Sequence, residues 1–266
     1  IGVLSAWLVT AYQFPGRRVL EWALMLPLAM PAYVMAYAYT DWLQFTGPVQ
    51  TLLRDLFAWR AREYWFPEIR SLWGAAAMLS FALYPYVYLL CRAAFLEQSV
   101  CVLEVSRTLG CNAWTSFTRV ALPLARPAIV AGLSLALMET LADYGTAAYF
   151  GLGVFTTGIF RVWFGMGDAV AASKMASMLL MFVLALILLE RASRRRARYH
   201  HATGKYAELP EYVLRGRAAV AAVIACAAPV VLGFALPAAQ LASWTDRKST
   251  RLNSSHSSVS RMPSSA

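Results

Sequence analysis

Two carboxylates and a phenol lie close together where few polar groups are expected. Glu139, Asp143 and Tyr144 fall in the otherwise apolar stretch 127–150. Glu139 and Asp143 are four residues apart, so a helix would carry both on one face. A carboxylate at membrane depth is costly and tends to face a cavity or the interior of a bundle. Carboxylate and phenol oxygens together suit a hard cation in passage. The same groups would serve equally well as interhelical hydrogen-bond partners that fix a bundle. Two acids on one face need not both be ionised. These three residues are the candidate lining of a translocation pathway.

A second constellation lies upstream, between two apolar blocks. It reads Glu104-Val105-Ser106-Arg107-Thr108-Leu109-Gly110, then nine residues, then Val120-Ala121-Leu122-Pro123. A glutamate near the start of a short helix is favoured by the helix dipole. Gly110 allows a sharp bend or a close backbone approach. Ala113, Trp114, Phe117 and Val120 recur at helical spacing and form an apolar stripe. Pro123 is expected to stop that helix, and Pro127 suits the first turn of the next. The pattern predicts two short helices, joined rigidly to the apolar block that follows.

Other chemistries lack their residues. There is no G-x-x-x-x-G-K-[ST] phosphate loop, and the glycines at 151, 153 and 158 have no lysine beside them. Cys91, Cys101, Cys111 and Cys226 include no C-x-x-C pair and read as small reduced hydrophobes. His200 and His201 sit in an arginine-rich loop without a cysteine or carboxylate at ligand spacing, so they read as solvated. No metal site and no cofactor is assigned. A plain reading of the composition is a membrane protein: 59% of residues are hydrophobic and 14% charged, against about 25% charged in a soluble domain. The net charge of +10 comes in short segments between apolar blocks rather than on one basic face, which excludes nucleic acid as the partner.

Six apolar blocks approach the ~20 residues that a spanning helix needs. They are 1–14, 19–39, 71–90, 127–150, 170–189 and 218–241. Pro27, Pro31 and Pro85 fall inside them and predict kinked spans, which membranes tolerate. The segment 191–217 holds eight Lys or Arg and is expected on the cytoplasmic side. Alternation then places 91–126 and the Gly16-Arg17-Arg18 turn on that side too. The 150–170 connection falls outside. In the outer loop 47–70, Val49, Leu52, Leu53, Leu56 and Phe57 predict an amphipathic helix lying in the lipid interface, followed by Trp59, Tyr64, Trp65 and Phe66.

The ends of the chain carry expectations of their own. Residue 1 is Ile within an apolar run, so the first span is expected to be truncated. From Thr245 to Ala266 the chain is serine-rich and basic. The stretch from Arg247 to His256 resembles translated adapter or vector sequence, with a native disordered tail as the alternative. The expected organisation is a first transmembrane domain over 1–190, a basic cytoplasmic linker over 191–217, the first span of a second half over 218–244, and a disordered tail over 245–266.

The segment 104–123 resembles the EAA loop of binding-protein-dependent importer permeases. Glu104, Gly110, Leu122 and Pro123 match in register, while Val105, Ser106 and Val120 stand where that pattern has Ala, Ala and Ile. The segments 6–9, 14–18, 26–33 and 138–145 look like the ferric-iron type of these permeases, in which two homologous halves are fused. The resemblance covers residues 1 to 244, and thiamine and phosphonate permeases look similar. It implies an all-α polytopic transmembrane bundle of the type I ABC importer permease fold with a cytoplasmic coupling-helix hairpin. It also implies a multi-pass protein of the bacterial inner membrane. The implied partners are an ATP-binding subunit that grips the 96–123 loop, a periplasmic substrate-binding protein, membrane lipid, and a second permease half in the same chain.

Two other classes remain open at this point. An ion-coupled carrier or channel would use Glu139 and Asp143 without ATP. A membrane assembly protein would need no intramembrane acids. The topology is directly testable. Thr115→Cys and Ala192→Cys should react with an impermeant thiol reagent from the cytoplasmic side only. Labelling of either from the periplasm overturns the assigned orientation.

Overall fold

The computed structural model describes residues 1–60, 63–97, 112–196 and 212–245. The described chain is helical apart from one short ladder. Helix α1 spans Gly2–Ala11, α2 Arg17–Ala23, α3 Ala32–Leu43 and α4 Pro48–Phe57. Helix α5 runs from Leu72 to Glu97. Helix α6 covers Trp114–Leu124, and α7 covers Arg126–Ala142. Then come α8 (Gly145–Tyr149), α9 (Phe155–Phe160), α10 (Ala169–Arg196) and α11 (Arg217–Val230), whose helical run continues to Thr245.

Three of these are long and apolar enough to cross a membrane: Leu72–Glu97, Ala169–Ala192 and Arg217–Thr245. At 1.5 Å per residue, the 26 residues of α5 span about 39 Å, more than the ~30 Å hydrocarbon core. Two further pairs would qualify if each bent pair were one span, Arg17–Ala29 with Ala32–Phe57 and Trp114–Leu124 with Arg126–Ala142.

The block 19–39 departs most from the kinked helix expected of it. It breaks into α2, a 3-10 turn at Leu26–Ala29, and α3, with a bend of 92°. The cause is local. Pro27 and Pro31 cannot donate backbone hydrogen bonds, and Met30 and Pro31 take extended backbone angles (ψ 111° and 134°). Pro85, by contrast, lies inside the unbroken α5. The block 127–150 is also shorter than expected as a helix, since α7 ends at Ala142.

Helix α5 is the central element, with α1 on one side and α7 on the other. Burying apolar surface drives little association inside lipid, so close backbone approach matters more. Both crossings have it. A Cβ on Gly2 would lie 2.8 Å from the Tyr84 carbonyl oxygen, and one on Gly132 would lie 2.7 Å from the Val87 Cα. Ala6, Ala82, Ala131, Ala219 and Ala222 are buried as well. Polar ties reinforce the packing. The Tyr88 hydroxyl donates to the Glu21 carbonyl (2.8 Å), and Arg92 pairs with the Glu21 carboxylate.

Helix α11, expected to open a second half, packs into this same core. Its Ala219, Ala222, Cys226 and Val230 are buried with Trp7, Leu24 and Tyr88. Towards its other end Gln240 is clamped: Trp42 Nε1 donates to Gln240 Oε1 and Gln240 Nε2 donates to Asp41 Oδ2, both at 2.6 Å. The Tyr39 hydroxyl donates to the Leu232 carbonyl at 2.6 Å. At its start the chain forms a parallel two-residue ladder, Tyr12–Gln13 with Tyr212–Val213. The Leu214 N–H donates to the Gln13 carbonyl (3.0 Å), and the rings of Tyr12 and Tyr212 lie 5.5 Å apart. The ladder ties the turn after α1 to the end of the basic linker, so these two segments lie on one side, as the charge pattern requires.

Helix α4 fits an interfacial helix. Leu52, Leu56 and Phe57 are exposed. The polar face turns inward instead, where Gln50 donates to the Leu43 carbonyl (2.7 Å) and accepts from the Tyr64 hydroxyl (2.7 Å). A helix lying in the membrane plane presents its apolar face to lipid in this way. Gly132→Leu should destabilise the bundle, because overpacking a close crossing costs about 3 kcal/mol. Gln240→Leu removes two side-chain hydrogen bonds, each worth roughly 0.6–1.7 kcal/mol in a membrane. Both should lower the midpoint of thermal unfolding in detergent, Gly132→Leu more, while the exposed Leu137→Ala leaves it unchanged. An unmoved midpoint for Gly132→Leu overturns the assigned crossing.

Candidate functional site: a helical elbow and an acidic cleft

The expected coupling loop is divided by what the structure describes. Glu104, Val105, Ser106 and Gly110 lie outside the described residues. Val120, Leu122 and Pro123 lie in α6. Phe117 to Ala121 form a widened π turn, with the Leu122 N–H reaching back to the Phe117 carbonyl. Pro123 was expected to stop the helix, and the helix ends one residue beyond it. The helical run continues through Leu124 and turns at Ala125. Pro123 sits in the first turn of the α-helical segment Leu122–Leu124 that follows the π turn.

The turn at Ala125 is one residue long and fully buried. Hydrogen bonds meet at it from both sides, from Ala125 N–H to the Ala121 carbonyl and from Ile129 N–H to the Ala125 carbonyl, both at 2.9 Å. Helix α7 leaves at 68° with Pro127 in its first turn. The result is a tight, buried elbow. Phe117 anchors it, with its ring 5.2 Å from Trp7 of α1 and 6.5 Å from Phe95 of α5. The predicted stripe is thus only partly inward: Phe117 and Ala121 are buried, while Trp114 is 62% exposed. The π turn rotates the helix enough to place Ala121 on the face that 3.6-residue spacing assigned to Val120.

At its far end α7 carries Glu139, about 20 Å from Arg126 at 1.5 Å per residue. Glu139, Asp143 and Tyr144 border one cleft of about 390 Å³. Its other wall is the broken segment, with Pro27, Met30, Pro31 and Tyr33, and α5 contributes Leu83 and Tyr86. Tyr86 and Glu139 border the cleft from opposite helices. The two carboxylates do not share a helix face as expected, because α7 ends at Ala142 and Asp143 is extended (ψ 116°).

The two acids also differ in their bonding. Asp143 caps the short helix α8. Its Oδ1 accepts from the Thr146 hydroxyl (3.1 Å) and its Oδ2 from the Ala147 N–H (3.2 Å). Its own carbonyl accepts from the Thr156 hydroxyl (2.9 Å). Glu139 is exposed to the cleft and makes no hydrogen bond to another described residue. The Tyr144 ring rests on Phe160, 4.2 Å away. Among the described residues no three His, Cys, Asp or Glu side chains come together as a metal site. Tyr33 and Tyr86 escaped the sequence reading. Their only signal was the proline-broken block opposite, and spacing does not reveal which helix faces a break.

Comparison with known proteins agrees with the architecture. Residues 1–198 match the family model described as the inner membrane component of binding-protein-dependent transport systems. The chain is 30% identical over 148 residues to the sulfate transport system permease protein CysT of Escherichia coli, covering 56% of this chain and 50% of that one. It is 32% identical over 149 residues to the molybdenum transport system permease protein ModB of the same organism, covering 56% of this chain and 62% of that one. A probable sulfate permease protein of Chlorokybus atmophyticus is 30% identical over 149 residues, covering 54% of this chain and 48% of that one. The chain spans about half the length of the curated relatives it matches. With a family match over 198 residues and a polytopic helical fold, the chain belongs to the inner membrane components of binding-protein-dependent transport systems.

Proposed function

We propose that this chain is the permease of an ATP-driven importer. It forms the substrate pathway, and a separate ATPase drives it through the 104–123 loop. One observation carries this reading: α6 and α7 are joined by the single buried residue Ala125, whose N–H bonds back into α6 and whose carbonyl accepts from α7. A push on α6 therefore turns α7, whose other end borders the acidic cleft. A two-state rocking of the bundle about that cleft would switch access between the two sides. A loaded periplasmic binding protein would supply the substrate. The chain itself would perform no covalent chemistry, and a second permease half would complete the pathway.

The cargo proposed is a cation, ferric iron first. Glu139 with Tyr86 and Tyr144 offers hard oxygen donors, and Asp143, held in the turn beside them, adds negative charge; the segments 26–33 and 138–145 resemble the ferric-iron permeases. The names of the relatives favour a second reading, an oxyanion such as sulfate or molybdate. Two carboxylates bordering the cleft would repel a divalent oxyanion, which weighs against it.

The test uses the full-length permease reconstituted with its ATPase and binding protein. Gly110→Trp and Glu104→Lys should each leave assembly intact and abolish the stimulation of ATP hydrolysis by loaded binding protein. Normal stimulation in both sinks the coupling role and favours an ATP-independent carrier. Glu139→Gln should cut uptake of a cationic cargo by on the order of tenfold, the loss of one charge-assisted contact. Sulfate or molybdate uptake by the unaltered protein would replace the cation with the oxyanion.

A further inference from the structure

We propose that the start of α2 and the start of α11 together form a binding site for an anionic phospholipid. Two segments far apart in sequence meet here. The Tyr12–Gln13 and Tyr212–Val213 ladder holds them in register. Leu20 of α2 and Leu214 pack on one core cluster, which also contains Ala219. Arg18 follows the ladder on one side, and Arg215 and Arg217 follow it on the other. All three arginines are exposed, and no described carboxylate pairs with any of them. The nearest acid on α2, Glu21, is already held by Arg92. Arg17 points elsewhere, its Nε donating to the Val9 carbonyl at 2.7 Å.

Each arginine leads directly into an apolar face. On α2, Val19 is 72% and Trp22 is 70% exposed, with Trp22 one turn beyond Arg18. On α11, Val220 is 58% and Ile224 is 60% exposed, three and seven residues beyond Arg217. The guanidiniums can hold a phosphate by paired hydrogen bonds. The two apolar faces would lie along the acyl chains, with the Trp22 ring at headgroup depth. A soluble phosphate would use the arginines alone and leave these faces without a role. Charge and apolar surface together match one ligand class, a lipid whose headgroup is negative, and basic clusters beside a span recognise such lipids. The inference needs only a membrane-embedded protein and is independent of the cargo and of the ATPase.

The test measures the lipid retained by the full-length permease purified from nanodiscs of equal phosphatidylglycerol and phosphatidylethanolamine. The unaltered protein should retain phosphatidylglycerol preferentially. Arg18→Gln, Arg215→Gln and Arg217→Gln combined should lower that preference by on the order of tenfold. Removing three charges elsewhere, with Arg60→Gln, Arg70→Gln and Arg161→Gln, should leave it intact. If the combined variant does not assemble, Arg18→Gln alone must lower the retention, and Trp22→Ala must do so without a change of charge. Unchanged retention in these variants overturns the proposal, as does an equal loss in the control. Crosslinking of Val220→Cys to another permease half would also overturn it, because the surface would then be a protein interface.

Discussion

The seating of the Phe117 ring against Trp7 and Phe95 is the contact on which the remaining geometry depends. It fixes α6 against α1 and the C-terminal end of α5. Ala125, buried about two turns further on, sends α7 off at 68°. That direction carries Gly132 into backbone contact with α5 and brings Glu139 to the cleft. Inside lipid these contacts matter more than apolar area, because a helix gains little by exchanging lipid for another apolar surface. Aromatic edges and glycine crossings supply the dispersion energy that hydrophobic burial supplies in water.

The acidic cleft follows from a different constraint. A helix broken within a membrane leaves backbone groups that must find partners or line a cavity. Pro27 and Pro31 impose such a break, and the polar ends of α7 and α8 lie opposite it. The division of labour between the two acids is then physical. Asp143 spends its oxygens on the Thr146 and Ala147 donors and holds the α7–α8 turn. Glu139 keeps its oxygens for the cleft. Discrete, stiff elements of this kind have few alternative arrangements, and a transporter that alternates between two states needs that property.

Much of this was legible in the residues themselves, for reasons that can be named. Apolar block length and arginine placement depend on the membrane alone, so α5, α10 and α11 lie where those blocks predicted. Helix α4 was legible because amphipathic spacing survives any tertiary arrangement. The 92° break was underestimated, since sequence shows that Pro27 and Pro31 weaken a helix but not how far neighbours let it bend. Pro123 marks the end of α6 to within one residue, while the π turn before it has no local pattern that marks it. The pairing of Tyr12 with Tyr212 and the Gln240 clamp join residues about 200 positions apart. Contacts of that range carry no periodic signal in a single sequence.

The central claim is mechanical: the Ala125 elbow must be stiff for the loop to drive the cleft. Inserting two glycines between Ala125 and Arg126 of the full-length permease would soften that joint while leaving both helices intact. The direct measurement is ATP hydrolysis by the complex reassembled with its ATPase and binding protein, with and without loaded binding protein. The account predicts normal assembly and basal hydrolysis, with stimulation by loaded binding protein lost. Full stimulation through a flexible joint would contradict it.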